Sequence, residues 1–144
     1  MNGIKMSDCR FYVNEEARTV VCVIPNTKYM LSNFIDEHFQ YGDINFDYAI
    51  TTEYLRHELV MPNSFMGKAV CSADDEWNEE IGKMIAFSRA KDKCYKSFFR
   101  RANNFVNTVD RRLGSVIEMF NAMGNKLNDK REGLEQKIQE MTQK

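Results

Sequence analysis

The stretch YKSFFRRANNFVNTVDRRLGSVIEMFNAM, residues 95–123, decides how the chain reads. Its apolar positions Tyr95, Phe98, Ala102, Phe105, Val109, Leu113, Val116, Phe120 and Met123 are spaced 3, 4, 3, 4, 4, 3, 4, 3. That spacing is a heptad seam on one side of a helix, with one extra four-residue step near Leu113. No proline follows Pro62, and between Glu76 and Met123 the only glycines are Gly82 and Gly114. Nothing obliges a helix to stop over this span. Gly124-Asn125 offers a left-handed cap and turn, after which Leu127, Leu134, Ile138 and Met141 form a second apolar stripe. The expectation is a helical hairpin, a long C-terminal helix followed by a shorter returning one. A final helix of ~27 Å cannot shield a seam of ~70 Å. A second copy is therefore expected to cover the rest, making a homodimer or higher homo-oligomer. The competing arrangement is a monomer whose long helix breaks at Asn103-Asn104 or Gly114-Ser115.

Upstream of the helix the residue types change. Cys9–Val13 and Arg18–Ile24 are β-branched or aromatic runs joined by Asn14-Glu15-Glu16-Ala17, which suits a β-hairpin. Met30–Phe39 places Leu31, Phe34, Ile35 and His38 at helical spacing. Phe46–Thr51 alternates like a strand, Tyr54–Leu59 reads as an irregular or helical turn, and Met66–Cys71 reads as a further short strand. Ser72 or Asp74 can cap a helix starting near residue 75, with Glu76, Glu79 and Glu80 at its positive dipole end. The fold class is α+β: an N-terminal antiparallel β-sheet with a short helix, then the long helix and its return. The chain reads as one domain, 1–144, with a sheet-rich half (1–74) and a helical arm (75–144).

Charge is unevenly spread. Residues 1–75 carry 6 Lys/Arg against 11 Asp/Glu, and residues 76–144 carry 14 against 10. Between Lys83 and Arg112 the bias is strongest, which suits an anionic partner or, as the plainer reading, a solvated helix face. Cys9, Cys22, Cys71 and Cys94 have no CxxC spacing, so no metal and no other cofactor is expected. The sequence has no leader-like N-terminus and no apolar run of membrane-spanning length, so a cytoplasmic protein without a membrane partner is expected. His38 and His57 lie in apolar-periodic stretches without a companion nucleophile and read as half-buried structural groups. With no GxGxxG, GxxxxGK[ST] or HExxH, no catalytic residue is assigned and the chain is not read as an enzyme.

What the helix does carry is equipment for nucleotides. Trp77, Phe87 and Phe99 offer π faces for stacking on a base. Arg89, Arg100, Arg111 and Arg112 offer forks for phosphate oxygens, and Asn103 and Asn104 offer amides for a base edge or ribose hydroxyl. These nine are the candidate ligand-binding residues. Tyr95 and Phe98 belong to the seam and read as core.

Gly67-Lys68-Ala69-Val70-Cys71, the acidic turn Asp74-Asp75-Glu76-Trp77, then Glu80-Ile81-Gly82-Lys83, Ala86 and Arg89-Ala90 form a pattern over about 25 residues. It resembles the anti-Thoeris sponges encoded by bacteriophages. The resemblance implies an N-terminal antiparallel sheet and long C-terminal helices. It also implies a dimer or higher oligomer that holds glycocyclic ADP-ribose, a cyclic nucleotide immune signal, between protomers without degrading it. Phe87, Arg100, Asn103, Asn104, Arg111 and Arg112 match that pocket by residue type only. The alternative function is a small phage inhibitor that meets a host protein or nucleic acid through its basic helix. A sequence pI near 6.1 argues against extensive nucleic-acid binding.

Overall fold

The computed structural model describes residues 3–39 and 57–143, the side chains of His38 and Phe39 excepted. Its element order is β1 (Arg10–Asn14), β2 (Thr19–Pro25), α1 (Met30–Phe39), β3 (Ser64–Val70) and α2 (Glu79–Thr142), with short 3-10 turns at Met6–Asp8 and His57–Leu59. This is the α+β class, an antiparallel sheet and a long C-terminal helix. The strand expected at 46–51 and most of the turn after it lie outside the described residues. The chain divides into two units, Met1–Phe105 and Val106–Lys144.

The three strands form one sheet in the order β1-β2-β3, antiparallel throughout. The hairpin turn is held by the Asn14 side chain, whose Oδ1 accepts the Ala17 N–H at 3.0 Å, and by the Arg18 N–H donating to Glu15 O at 3.1 Å. Arg18 closes the turn at φ 53°, in the left-handed region where a Cβ is costly. β2 alternates as its valines and isoleucine dictate, with Val20, Cys22 and Ile24 buried.

Against that inner face lies the first part of α2. Ala86, Ala90 and Cys94 follow one another at four-residue steps and are fully buried, and Phe98 and Phe105 are buried farther along the helix. Small residues allow the close approach. A Cβ on Gly67 of β3 would sit 2.2 Å from Ala86 O and 2.4 Å from Ala90 N, and one on Gly82 would sit 2.8 Å from Val20 Cγ2. α1 completes the core with Leu31 and Ile35, and Phe34 meets Phe98 edge to face at 5.5 Å. The link into α1 is fixed by Thr27, whose hydroxyl donates to Pro62 O at 2.5 Å.

Several expectations are corrected. α2 starts at Glu79, not near residue 75, because Asn78 is its cap: Asn78 Oδ1 accepts the Ile81 N–H at 3.1 Å. Ser72 instead accepts the Asp74 N–H within the preceding turn. α2 runs without interruption through Asn103-Asn104, Gly114-Ser115 and Gly124-Asn125, so neither the break nor the returning helix forms. None of the described glycines takes a positive φ. Glycine inside a helix costs only about 1 kcal/mol against alanine, and the Lys, Leu, Glu, Gln and Arg around these sites favour continuation. His57 is exposed rather than half-buried. Among the described residues no helix is long and apolar enough to cross a membrane.

Candidate functional site

Among the described residues β3 is an edge strand of the sheet, and an edge presents unpaired backbone groups. Two basic residues of α2 cover this one: Arg89 Nη1 donates to Lys68 O at 2.7 Å, and Lys93 Nζ donates to Met66 O at 3.0 Å. The carbonyls are two apart on the strand and the cations four apart on the helix, so both periodicities bring them together. Arg89, a candidate for anion binding, thus spends one donor on the fold.

The same side of α2 continues as Lys96, Arg100, Asn103 and Asn104, at steps of 3 or 4 from Lys93. Lys96 is paired with Asp92 at 2.9 Å. Arg100, Asn103 and Asn104 are exposed, and Phe99, 62% exposed, lies one turn from Asn103. The Phe99 ring is braced edge to face on buried Phe98, centroids 5.5 Å apart, while its outer surface stays open. An aromatic face, a guanidinium and two amides therefore share one exposed turn of helix. This is the combination that stacks on a base and pairs with a phosphate.

The other candidates lie apart from this group. Phe87 is half-buried with Lys91 Nζ 4.9 Å from its ring centroid. Trp77 lines a cavity of about 340 Å³ with Val70, Cys71, Asp75, Glu76 and Ile81, and none of the other eight candidates lines it. Two carboxylates in that lining disfavour an anion. Arg111 and Arg112 belong to the second unit and are exposed there.

Arg18 bridges two distant segments of the chain. Its Nη2 donates to Cys71 Sγ at 3.1 Å, to Ser72 O at 2.9 Å and to Asp75 O, tying the hairpin turn to the segment that leads into α2. Cys71 N–H returns a bond to Arg18 O at 2.8 Å. Nothing local marks this arginine, because its partners are 53 to 57 residues away. Small residues likewise pack the sheet on α2, Gly67 of β3 against Ala86 and Ala90 and Gly82 against Val20 of β2.

Three of the four thiols, Cys9, Cys22 and Cys94, are held protonated by burial. Burial pushes Cys22 up to about 12 and Cys94 to about 11, and Cys9, beside Cys22, is raised by burial as well. Among the described residues no group of three His, Cys, Asp or Glu side chains is placed to hold a metal ion. The chain matches no known protein-family model, and neither curated proteins nor solved structures yield a match.

Proposed function

We propose that this chain is a phage anti-defence protein of the bacterial cytoplasm that binds and sequesters a cyclic nucleotide immune signal of the ADP-ribose type without degrading it. The observation that carries this reading is the exposed group Phe99, Arg100, Asn103 and Asn104 on one turn of α2. Phe99 supplies a stacking face backed by Phe98. Arg100 supplies a fork for a diphosphate oxygen, and the two asparagines supply donors and acceptors for ribose or base. The resemblance of Gly67–Ala90 to the anti-Thoeris sponges supports the ligand class. Retention without turnover accords with the raised thiols, which leave Cys9, Cys22 and Cys94 poor nucleophiles.

The test is to purify the protein from cells that make cyclic ADP-ribose-type signals, heat it, and analyse the released small molecules by mass spectrometry. An intact cyclic nucleotide in stoichiometric amount is expected. A linearised or hydrolysed product in excess of the protein would replace sequestration by catalysis, and an empty protein would remove the nucleotide reading.

A further inference from the structure

The cavity beside Trp77 lies within the first unit, and its volume of about 340 Å³ falls in the ~300–1,000 Å³ range of small-molecule sites. Part of its lining is apolar. Val20 and Ala69 of the sheet are buried there, and Ile81 and Ile85, one turn apart on α2, are 54 and 41% exposed. The rest is aromatic and acidic: Trp77, half-buried and the one tryptophan of the chain, with the exposed residues Asp75 and Glu76. The turn that leads to them is fixed, since the Asp75 N–H donates to Ser72 O at 3.2 Å and Arg18 Nη2 donates to the same oxygen at 2.9 Å. Among the described residues neither the Asp75 nor the Glu76 carboxylate has an ion-pair partner. Lys83, on the first turns of α2, is committed to Glu79 at 3.3 Å and Glu80 at 3.8 Å. The positive end of α2 is answered by those two glutamates and by the Asn78 cap. Residues 71–83 hold five carboxylates against Lys83, and counting Arg18 as a second cation leaves a local balance of −3.

We propose that this cavity binds an alkylammonium ion, a cationic head on an aliphatic chain. The ammonium lies on the Trp77 ring, the best of the aromatic faces for a cation, and donates its N–H bonds to the carboxylates of Asp75 and Glu76. The methylenes lie along Ile81 and Ile85 and remove their apolar surface from water. The other ligand classes fit worse. An anion meets the negative balance, and a metal ion needs oxygen ligands on all sides, whereas here two carboxylates stand beside an indole and two isoleucines. Among the described residues no group of three ligating side chains is placed to hold one. An alkylammonium ends both a polyamine and a lysine side chain, so a free polyamine or a partner's lysine carries the required chemistry. The inference does not rest on the nucleotide reading, because Phe99, Arg100, Asn103 and Asn104 are absent from this lining.

The experiment uses the full chain, in which all tryptophan fluorescence comes from Trp77. Butylammonium chloride, fully charged at pH 7 because its pKa lies near that of lysine at about 10.4, is titrated against the protein at constant ionic strength. A saturable change in the emission is expected at millimolar concentration, and 1-butanol and sodium butyrate, of similar size but neutral and anionic, should bind at least tenfold more weakly. Asp75→Asn combined with Glu76→Gln should weaken butylammonium at least tenfold. Cys22 and Cys94 should stay closed to a thiol reagent in that variant, which shows the first unit still folded. Spermidine and Nα-acetyllysine amide, the free and the protein-borne forms of the group, are titrated in parallel, and the tighter of the two identifies the source. No saturable response to butylammonium, an equal response to butanol or butyrate, or an affinity unchanged in the folded double variant would each overturn the proposal.

Discussion

Gly67 of β3 and Ala90 of α2 meet backbone to backbone: a Cβ on Gly67 would lie 2.4 Å from the Ala90 nitrogen and 3.0 Å from its Cα. Backbone atoms in the middle of a sheet and a helix cannot swing aside as a side-chain tip can. Gly67→Ala should therefore force β3 away from α2, at a cost at or above the ~1–3 kcal/mol typical of overpacking. Urea denaturation will read this as a lowered midpoint. A midpoint unchanged from the parent would mean that the strand and helix are not in the contact described.

The edge of β3 gives a second prediction. Arg89→Ala and Lys93→Ala each remove one charge-assisted bond to a strand carbonyl. Both groups are exposed, so each loss should be modest, about 1 kcal/mol. The larger effect should be in solution behaviour. With both cations gone, the edge is open to pairing with other chains, and the double variant should scatter more light on prolonged incubation near its melting temperature. Aggregation equal to the parent's would show that the two cations do not guard the edge.

What the sequence discloses divides along the range of the interactions involved. The hairpin, α1 and β3 are local patterns of alternation and helical spacing, and they fold where those patterns lie. The start of α2 is not local. Ser72, Asp74 and Asn78 are all competent caps, and the choice falls to Asn78 because Arg18, far away in the chain, holds residues 71–75 in a turn. The expected turn at Gly124-Asn125 misled for a different reason. A Gly-Asn pair permits a left-handed cap but does not compel one, and no described tertiary contact of that segment pulls the chain back. For the candidate site, residue types identified equipment but not placement. Phe99, Arg100, Asn103 and Asn104 are neighbours through helix geometry alone, whereas Trp77 faces a cavity with two carboxylates.

Arg18 separates backbone strain from side-chain bonding. Arg18→Ala loses the bonds to Cys71, Ser72 and Asp75 and keeps a Cβ at φ 53°. Arg18→Gly loses the same bonds but relaxes the backbone. Both variants should melt below the parent, with the glycine variant the more stable of the two by roughly 0.5–1 kcal/mol. The reverse order would mean that the turn does not hold residue 18 in the left-handed region.

Alkaline pH tests the buried thiols. The unfolded chain releases cysteine protons around 9.0, while the folded chain holds those of Cys94 to about 11 and of Cys22 to about 12. Between these limits the unfolded state binds fewer protons than the folded one, so stability falls as pH rises. It should be flat with respect to these groups below about 9. Denaturant midpoints measured from pH 8 to 11 should therefore decline, and Cys22→Ala should flatten that decline even though it starts from a less stable protein. An unaltered slope in Cys22→Ala would remove this thiol as the cause.

Phe98 and Phe99 separate the core face of α2 from its proposed ligand face. Phe98 is buried against Phe34, so Phe98→Ala should lower stability by ~3–5 kcal/mol, the usual cost of deleting a core aromatic. Its neighbour Phe99 points outward, and Phe99→Ala should leave the melting temperature close to the parent's. Arg100→Ala should do the same, because its side chain is exposed. Binding of a cyclic ADP-ribose-type nucleotide, followed by calorimetry, should respond in the opposite sense. Losing a hydrogen bond to a charged group costs about 1.5–3 kcal/mol, which is roughly ten- to a hundredfold in Kd. Loss of a stacking face costs a similar ~1–3 kcal/mol. Arg111→Ala and Arg112→Ala, in the second unit, extend the comparison to the remaining arginines of the basic section. If all three arginine variants and Phe99→Ala bind as tightly as the parent, the basic side of α2 serves only to meet water and seal β3, and the ligand is held elsewhere.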